Sequence, residues 1–160
     1  SVKGFELEVN YQLNDQIHFY SALGQAKTEF TDYVLTIPSK EDINLSGRSF
    51  AHSPEWTATL GGSYTSDNGF FADVNANYAG ESSTDVNPYA RGLDKNDPNF
   101  DIPNDSRVLV NMQLGYEWEN IGVYLIGRNI FDEEYIADRQ AHYITLSKAR
   151  QFSLSVRGSF

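Results

Sequence analysis

One short polar segment has the residue types and part of the spacing of a calcium-binding loop. Residues 42–47 read DINLSG, so Asp42, Asn44 and Ser46 alternate as ligands do in the first half of an EF-hand loop. The position at which a glutamate closes such a loop is occupied by Ser53. Because this position supplies the bidentate carboxylate, we interpret the segment as a polar loop that contains a turn.

The three histidines are isolated in the sequence, and the chain contains no cysteine that could share a metal site with them. They are His18, His52 and His142. The sequence also lacks the G-x-S-x-G motif, the H-E-x-x-H motif and a phosphate-binding glycine loop. We therefore predict that the protein is not an enzyme, that it has no catalytic residues and no metal site, and that it uses no cofactor.

The composition excludes several other classes of protein. The 160 residues carry a formal net charge of −10, which argues against binding to nucleic acid, a partner that requires a basic surface. Aromatic residues make up 14% of the chain, far more than in disordered acidic chains. No apolar run reaches the roughly 18 residues of a membrane-spanning helix. The first ten residues lack the apolar region of a signal peptide, so we expect a mature chain or part of a longer one.

Apolar and polar residues alternate along most of the chain, which is the pattern of a β-strand with two different faces. In the segment 5–13, for example, every second residue is apolar. The same alternation predicts seven strands, at 5–13, 17–24, 56–64, 70–78, 108–118, 123–128 and 152–160. Short turns follow the first, third and fifth strands, and long polar loops follow the second, fourth and sixth. All short turns therefore lie at one end of the predicted sheet and all long loops at the other.

The two predicted faces suit a membrane better than they suit water. The polar face is rich in Asn, Gln, Gly, Tyr and Ser rather than in the Lys, Glu and Thr of a soluble sandwich. Aromatic residues lie near both ends of the apolar face, as in the two interfacial belts of a membrane barrel. We place Tyr64, Phe70, Tyr116 and Trp118 beside the short turns, and Phe30, Trp56 and Tyr78 near the long loops.

The negative charge is concentrated in the three long loops. The segments 29–55, 81–105 and 132–148 contain five, six and four acidic residues respectively, and two basic residues each. Strands and short turns are nearly neutral. Together these patterns predict an all-β fold, an antiparallel transmembrane β-barrel segment of about seven strands with short periplasmic turns and long extracellular loops.

Several motifs resemble those of one membrane-protein family. Residues 127–135, GRNIFDEEY, resemble the penultimate-strand motif of TonB-dependent outer-membrane receptors. Residues 4–13, GFELEVNYQL, resemble a Gly-aromatic-Glu-Leu-Glu strand of that family, and residues 53–64, SPEWTATLGGSY, resemble its Pro-x-aromatic strand opening. The final Phe160 is similar to the aromatic residue that ends these barrels. One departure is KAR at 148–150, where members usually have Pro-Gly-Arg.

The resemblance implies a bacterial outer-membrane receptor for a ferric siderophore or a similar iron complex. Residues 1–160 would be the C-terminal portion of its barrel, and the plug domain, through which the TonB complex acts, is absent from this chain. Further implied partners are outer-membrane lipid, lipopolysaccharide and the barrel-assembly machinery. The assembly signal would comprise Phe152, Leu154, Val156 and Phe160, with Arg157 on the lumen side.

Ligand contacts are expected in the loops, from aromatic and cationic side chains that suit a large, oxygen-rich and often anionic ferric siderophore. The candidates are Tyr89, Arg91, Arg139, His142 and Tyr143.

Two alternatives remain open from the sequence. One is a complete small outer-membrane barrel with an eighth strand in 29–55 or 80–105. The other is a soluble antiparallel β domain that binds carbohydrate or another protein through its long loops. An odd number of strands favours part of a larger barrel, because complete bacterial barrels have even numbers.

Overall fold

The computed structural model describes residues 1–84, 87–93, 103–139 and 143–158, apart from the side chains of Ala90, Arg91 and Arg139. It contains one seven-stranded antiparallel sheet, which confirms the predicted fold class. In chain order, the strands of this sheet are β1 (Val2–Gln12), β2 (Ile17–Thr28), β5 (Trp56–Thr65), β6 (Phe70–Ala79), β7 (Arg107–Glu117), β8 (Ile121–Arg128) and β11 (Gln151–Gly158).

Each strand of the sheet pairs with its neighbours in sequence order, from β1 at one edge to β11 at the other. Short turns join β1 to β2, β5 to β6 and β7 to β8, and we call this side of the sheet the turn end. The opposite side, the loop end, carries loop 1 (29–55), loop 2 (80–106) and loop 3 (129–150). The predicted separation of turns and loops is therefore confirmed.

The first two strands extend further towards the loop end than the sequence pattern predicts. Val2 pairs with Thr28, and Lys3 pairs with Lys27. The alternation weakens here because polar residues occupy both faces, while the backbone hydrogen bonds of the ladder continue independently of side-chain polarity.

Matching registers bring apolar side chains of all seven strands to one face, the outer face. Leu7 pairs with Leu23, Val74 with Met112, and Leu125 with Leu154, as part of a mainly apolar surface. This surface is exposed, with Leu60 66% and Leu154 70% accessible. Among the described residues, the only buried hydrophobic side chains are those of Leu45 and Tyr124. The outer face therefore packs on no second protein layer, as expected of a face that contacts lipid.

Aromatic residues border the outer face at both ends. At the turn end, the rings of Tyr116 and Trp118 are 4.7 Å apart. At the loop end, Phe5 meets Trp56 edge to face at 5.9 Å. These contacts place aromatic residues at both predicted belts, but the position predicted for Phe30 is wrong.

Phe30 lies beyond the end of β2, where strand alternation no longer determines which way a side chain points. It packs inside loop 1, with its ring 5.1 Å from Tyr33 and 4.7 Å from Phe50.

The inner face is polar, and two of its glycines accommodate tyrosine rings. A Cβ atom at Gly61 would lie 2.3 Å from the ring of Tyr20, and one at Gly115 would lie 2.4 Å from the ring of Tyr124. Both rings lie against the backbone of a neighbouring strand. A side chain at either position would displace the ring, so glycine allows this close packing.

The long loops contain regular structure that the sequence pattern did not predict. Two short hairpins are formed by β3 (Val34–Leu35) with β4 (Ile43–Asn44), and by β9 (Ile136–Arg139) with β10 (Ile144–Leu146). One turn of 3-10 helix spans Pro88–Arg91. Over the described ranges, no helix is long and apolar enough to cross a membrane. The hairpin strands are too short for alternation to be recognised in the sequence.

We predict that Leu60→Arg, near the middle of β5 on the outer face, lowers the free energy of unfolding by about 2 to 4 kcal/mol, because a charge in the hydrocarbon region loses its hydration. Urea unfolding of the full-length protein in liposomes measures this change. Ser63→Arg, which places the same charge on the inner face of the same strand, should lower the free energy of unfolding by a clearly smaller amount. Equal losses for the two variants would contradict our assignment of the faces.

Candidate functional site

His52 of loop 1 connects that loop to both of the other long loops at the loop end. Its backbone N–H donates a hydrogen bond to the carbonyl oxygen of Ser83 in loop 2, at 2.7 Å. Its Nε2 lies 3.4 Å from the carboxylate of Asp138 in loop 3. Loop 1 therefore contacts both of the other loops through a single residue.

Tyr89, one of the predicted ligand contacts, also connects two loops. Its hydroxyl donates a hydrogen bond to the backbone carbonyl of Glu41 at 2.9 Å, and the ammonium of Lys40 lies 5.4 Å from the centre of its ring. The preceding Pro88 is fully buried. Tyr89 thus packs loop 2 against loop 1, just before the segment that resembles a calcium loop.

The polar atoms of that calcium-like segment form a turn. The side-chain oxygen of Asn44 accepts a hydrogen bond from the backbone N–H of Ser46, and the Ser46 hydroxyl accepts one from Tyr33. Between them, Leu45 is completely buried. These contacts confirm the interpretation of the segment as a turn.

Two of the three histidines lie at opposite ends of the sheet. His18 stacks on Tyr20 near the turn end, whereas His52 lies in loop 1, and His142 is outside the described residues. In the part of the chain that the structure describes, no three His, Asp or Glu side chains form a group that could hold a metal ion.

Loop 3 is held to the sheet by Asn129, the residue that follows β8. Its backbone φ is 50°, a left-handed conformation that Asn tolerates better than most residues. Its side-chain amide donates hydrogen bonds to the carbonyl oxygens of Glu133 and Lys148, at 3.0 and 3.1 Å. Its side-chain oxygen accepts one from the N–H of Glu133 at 2.9 Å. One buried side chain therefore joins both ends of loop 3.

Asp132, three residues later, also joins the beginning of loop 3 to its end. It also has a positive φ, of 58°, and its carboxylate accepts a hydrogen bond from the backbone N–H of Arg150 at 2.6 Å. The motif GRNIFDEEY thus has an architectural role, since two of its polar residues fix the geometry of the loop.

A chain of hydrogen bonds crosses the inner face and reaches Asn129. The hydroxyl of Tyr20 donates to Asp73, and the amide of Asn75 donates to the same carboxylate. Asn111 donates to Asn75 at 3.1 Å, and its own oxygen accepts a hydrogen bond from the backbone N–H of Asn129 at 3.1 Å. We call these five residues the polar ladder. It links the middle of the inner face to the start of loop 3.

A pocket of about 390 Å³ lies between loop 3 and the inner face, and we call it the loop 3 pocket. The sheet contributes Leu109, Asn111 and Arg128 to its lining, while loop 3 contributes residues that include Leu146 and Lys148. Loop 3 therefore folds inwards over the inner face. Sequence analysis did not identify Arg128 or Lys148, because their convergence depends on the fold of loop 3.

The five predicted ligand contacts all belong to loops 2 and 3. Tyr143 is 56% exposed at the beginning of the segment that leads into β10, and Tyr89 occupies the position between the loops described above. His142 and the side chains of Arg91 and Arg139 are outside the described part of the chain. The ligand-contact role of these residues stays a prediction.

The fold matches solved receptors along nearly its whole length. A family model described as "TonB dependent receptor-like, beta-barrel" matches residues 1–130. The chain belongs to the TonB-dependent receptor β-barrel family. Its fold is similar to that of the siderophore receptor PiuA from Acinetobacter baumannii, with a TM-score of 0.79 and 21% identity over 98% of this chain and 21% of that one.

Two other receptor structures show the same similarity. The ferric-catecholate import receptor Fiu from E. coli K12 has a TM-score of 0.72 and 19% identity, over 99% of this chain and 21% of that one. The ferripyoverdine receptor of Pseudomonas aeruginosa has a TM-score of 0.71 and 16% identity, over 99% of this chain and 19% of that one. This TonB-dependent receptor chain therefore spans about a fifth of the length of the receptors it matches.

The last strand of the receptor chain has the two faces expected of it. Phe152, Leu154 and Val156 lie on the outer face and are exposed. Arg157 lies on the inner face, with its guanidinium 5.2 Å from the centre of the Tyr124 ring, as the sequence predicts. Phe160 is outside the described residues.

We predict that Asn129→Ala releases loop 3 from the sheet. The substitution removes three hydrogen bonds and places alanine at a positive φ, for a combined cost of about 2 to 4 kcal/mol. In the detergent-solubilised full-length protein, trypsin should cleave faster after Lys148 and Arg150 while the barrel remains folded.

Asn129→Gly is the matched control for backbone conformation, because glycine accepts a positive φ but lacks the amide. It should show an intermediate cleavage rate. If Asn129→Ala were cleaved at the wild-type rate, Asn129 would not be what fixes loop 3.

Proposed function

We propose that this chain is the C-terminal part of the barrel of a bacterial outer-membrane receptor that imports a ferric siderophore or a similar iron complex. The observation that carries the proposal is the seven-stranded sheet with an exposed apolar outer face, which aligns over 98% of the chain with a siderophore receptor. An exposed apolar surface of this extent requires lipid, and the packed loops at one end supply a surface for binding ligand.

In this proposal the chain supplies wall strands and three extracellular loops and catalyses no reaction. The plug lies elsewhere in the full-length receptor and receives energy through contact with the TonB complex. The excess of acidic residues in the loops also suits a surface that holds divalent cations beside lipopolysaccharide.

Ligand contacts are proposed at Tyr89, Arg91, Arg139, His142 and Tyr143. Their place in loops 2 and 3 supports the proposal, since these loops lie at the mouth of the barrel wall. The bonds from Tyr89 to loop 1 imply that a ligand there would contact loops already packed together.

The strand that ends the chain is proposed to act as the signal for the barrel-assembly machinery, through Phe152, Leu154, Val156 and Phe160. The exposed outer-face positions of the first three residues support this role. The edge of β11 that faces away from β8 has no partner strand among the described residues, so it is available to close a barrel.

We predict that cells expressing the full-length receptor take up a ⁵⁵Fe-labelled siderophore, and that uptake is lost when the inner-membrane TonB complex is deleted. The full-length receptor should need detergent for extraction, and its gel mobility should change on boiling. The gel mobility of residues 1–160, expressed alone with a secretion signal, should not change on boiling. Absence of TonB-dependent uptake for every ferric siderophore tested would contradict the transport function. Heat-modifiable mobility of residues 1–160 alone would instead identify a complete small barrel.

We also predict that deletion of Phe160 lowers the amount of folded receptor in the outer membrane several-fold, because the assembly machinery loses its terminal aromatic contact. Quantitative immunoblots of outer-membrane fractions, with and without boiling, measure folded and unfolded receptor. Ser159→Ala is the neighbouring control and should leave the level unchanged. A wild-type level after deletion of Phe160 would remove this residue from the signal.

A further inference from the structure

The loop 3 pocket is unusual in the charge of its lining. Two basic residues, Arg128 and Lys148, line it, and its described lining contains no acidic residue. The chain as a whole carries a net charge of −10, and loop 3 itself contains four acidic residues, so this local excess of positive charge runs against the composition. In a chain of net negative charge, a recess lined by basic residues attracts anions.

Other pockets of the described residues do not share this property. A pocket in loops 1 and 2 combines Arg48 with Glu81, and a pocket at the turn end combines Arg157 with Glu117 and Glu119. In both, a carboxylate accompanies the cation, as it does in a third pocket on the inner face, where Asp73 and Arg128 share the lining. Arg128 therefore lies between that pocket, which holds a carboxylate, and the loop 3 pocket, whose described lining holds none.

The described part of the chain does not engage either cation. Within the described residues, the side chains of Arg128 and Lys148 make no hydrogen bond or ion pair, and the bond from Asn129 to Lys148 involves only its backbone carbonyl. Two acidic residues adjoin lining residues in the sequence, Glu134 before Tyr135 and Asp138 after Ala137, but neither belongs to the described lining. Asp138 lies 3.4 Å from His52.

The remainder of the lining suits a ring or another flat apolar group. Leu109 and Leu146 supply aliphatic surface, and Tyr135 supplies an aromatic ring. The guanidinium of Arg107 lies 4.7 Å from the centre of that ring and holds it against the sheet. The volume of about 390 Å³ is in the range of small-ligand sites, which combine mostly apolar walls with a few convergent polar groups.

We propose that the loop 3 pocket binds a small anionic ligand in which a carboxylate or similar oxygen anion is attached to an aromatic ring. Arg128 and Lys148 bind the oxygen anion, and Tyr135 with the two leucines contacts the ring. The inference deepens the proposed function, on which it rests, because it names the chemical class of the cargo or of the part of the cargo that docks first. It adds Arg128 and Lys148, which differ from the loop residues proposed above.

The test uses benzoate as the probe and the full-length receptor in detergent. Ligand-observed NMR titration gives the Kd of benzoate and of benzamide, which has the same ring but no charge. We expect benzoate to bind and benzamide to bind at least about tenfold more weakly. In the double variant Arg128→Gln/Lys148→Gln, the Kd of benzoate should rise by about tenfold or more, since each cation contributes a charge-assisted hydrogen bond.

The control variant removes the same amount of charge elsewhere. Lys3→Gln/Lys27→Gln changes two lysines that pair across β1 and β2 on the outer face, also near the loop end, and should leave the Kd unchanged. Boiling-dependent gel mobility shows whether each variant is folded. If the Arg128/Lys148 variant does not fold, Leu146→Trp fills the pocket without altering either cation and should abolish binding.

The inference is overturned if wild-type receptor does not bind benzoate, if benzamide binds equally well, or if the folded pocket variants bind benzoate as wild type does. These outcomes are independent of iron transport. Benzoate binding without any TonB-dependent uptake would uphold the pocket and reject the transport function, whereas uptake without benzoate binding would do the reverse.

Discussion

Backbone hydrogen bonding in a medium without water is the constraint on which the rest of this structure depends. In the hydrocarbon region every N–H and C=O group must find a partner within the protein, and neighbouring strands provide those partners. The ladder from β1 to β11 is continuous and uses sequence neighbours throughout. Once that ladder is fixed, each side chain has only two directions available. The apolar outer face and the polar inner face are therefore two consequences of one pairing pattern.

Among the described residues, the largest fully buried side chains lie in the loops, outside the sheet. Leu45 and Pro88 are fully buried, and both belong to loops. The strands have no packed core within the described residues, because no second layer covers the outer face of the sheet. The loops lie in water and must pack on each other to acquire a defined shape. This explains why His52 and Tyr89 connect loops to one another.

Asn129 joins these two regimes. Its backbone N–H donates a hydrogen bond to Asn111, the last side chain of the polar ladder before loop 3. Its side chain holds loop 3 through three hydrogen bonds. Asn111 and Asn129 both line the loop 3 pocket, which therefore lies directly beside their hydrogen bond. The position of a ligand in the pocket is consequently coupled, by direct contact, to the sheet and to the loop. The same arrangement gives the motif around 127–135 a physical reason for its polar residues.

The sequence alone determined the strands, the two faces, the separation of short turns from long loops, and the family, because all of these follow from local alternation and short motifs. A period of two identifies β5 or β7 without any knowledge of their neighbours. The tertiary structure alone decided which polar residues meet. Phe30, whose predicted belt position was wrong, lies just beyond the alternating region, and the hairpins of loops 1 and 3 are too short to show a period. Arg128 and Lys148 are 20 positions apart in the sequence. They converge only because Asn129 reverses the chain and loop 3 folds inwards, a long-range arrangement that no local pattern encodes.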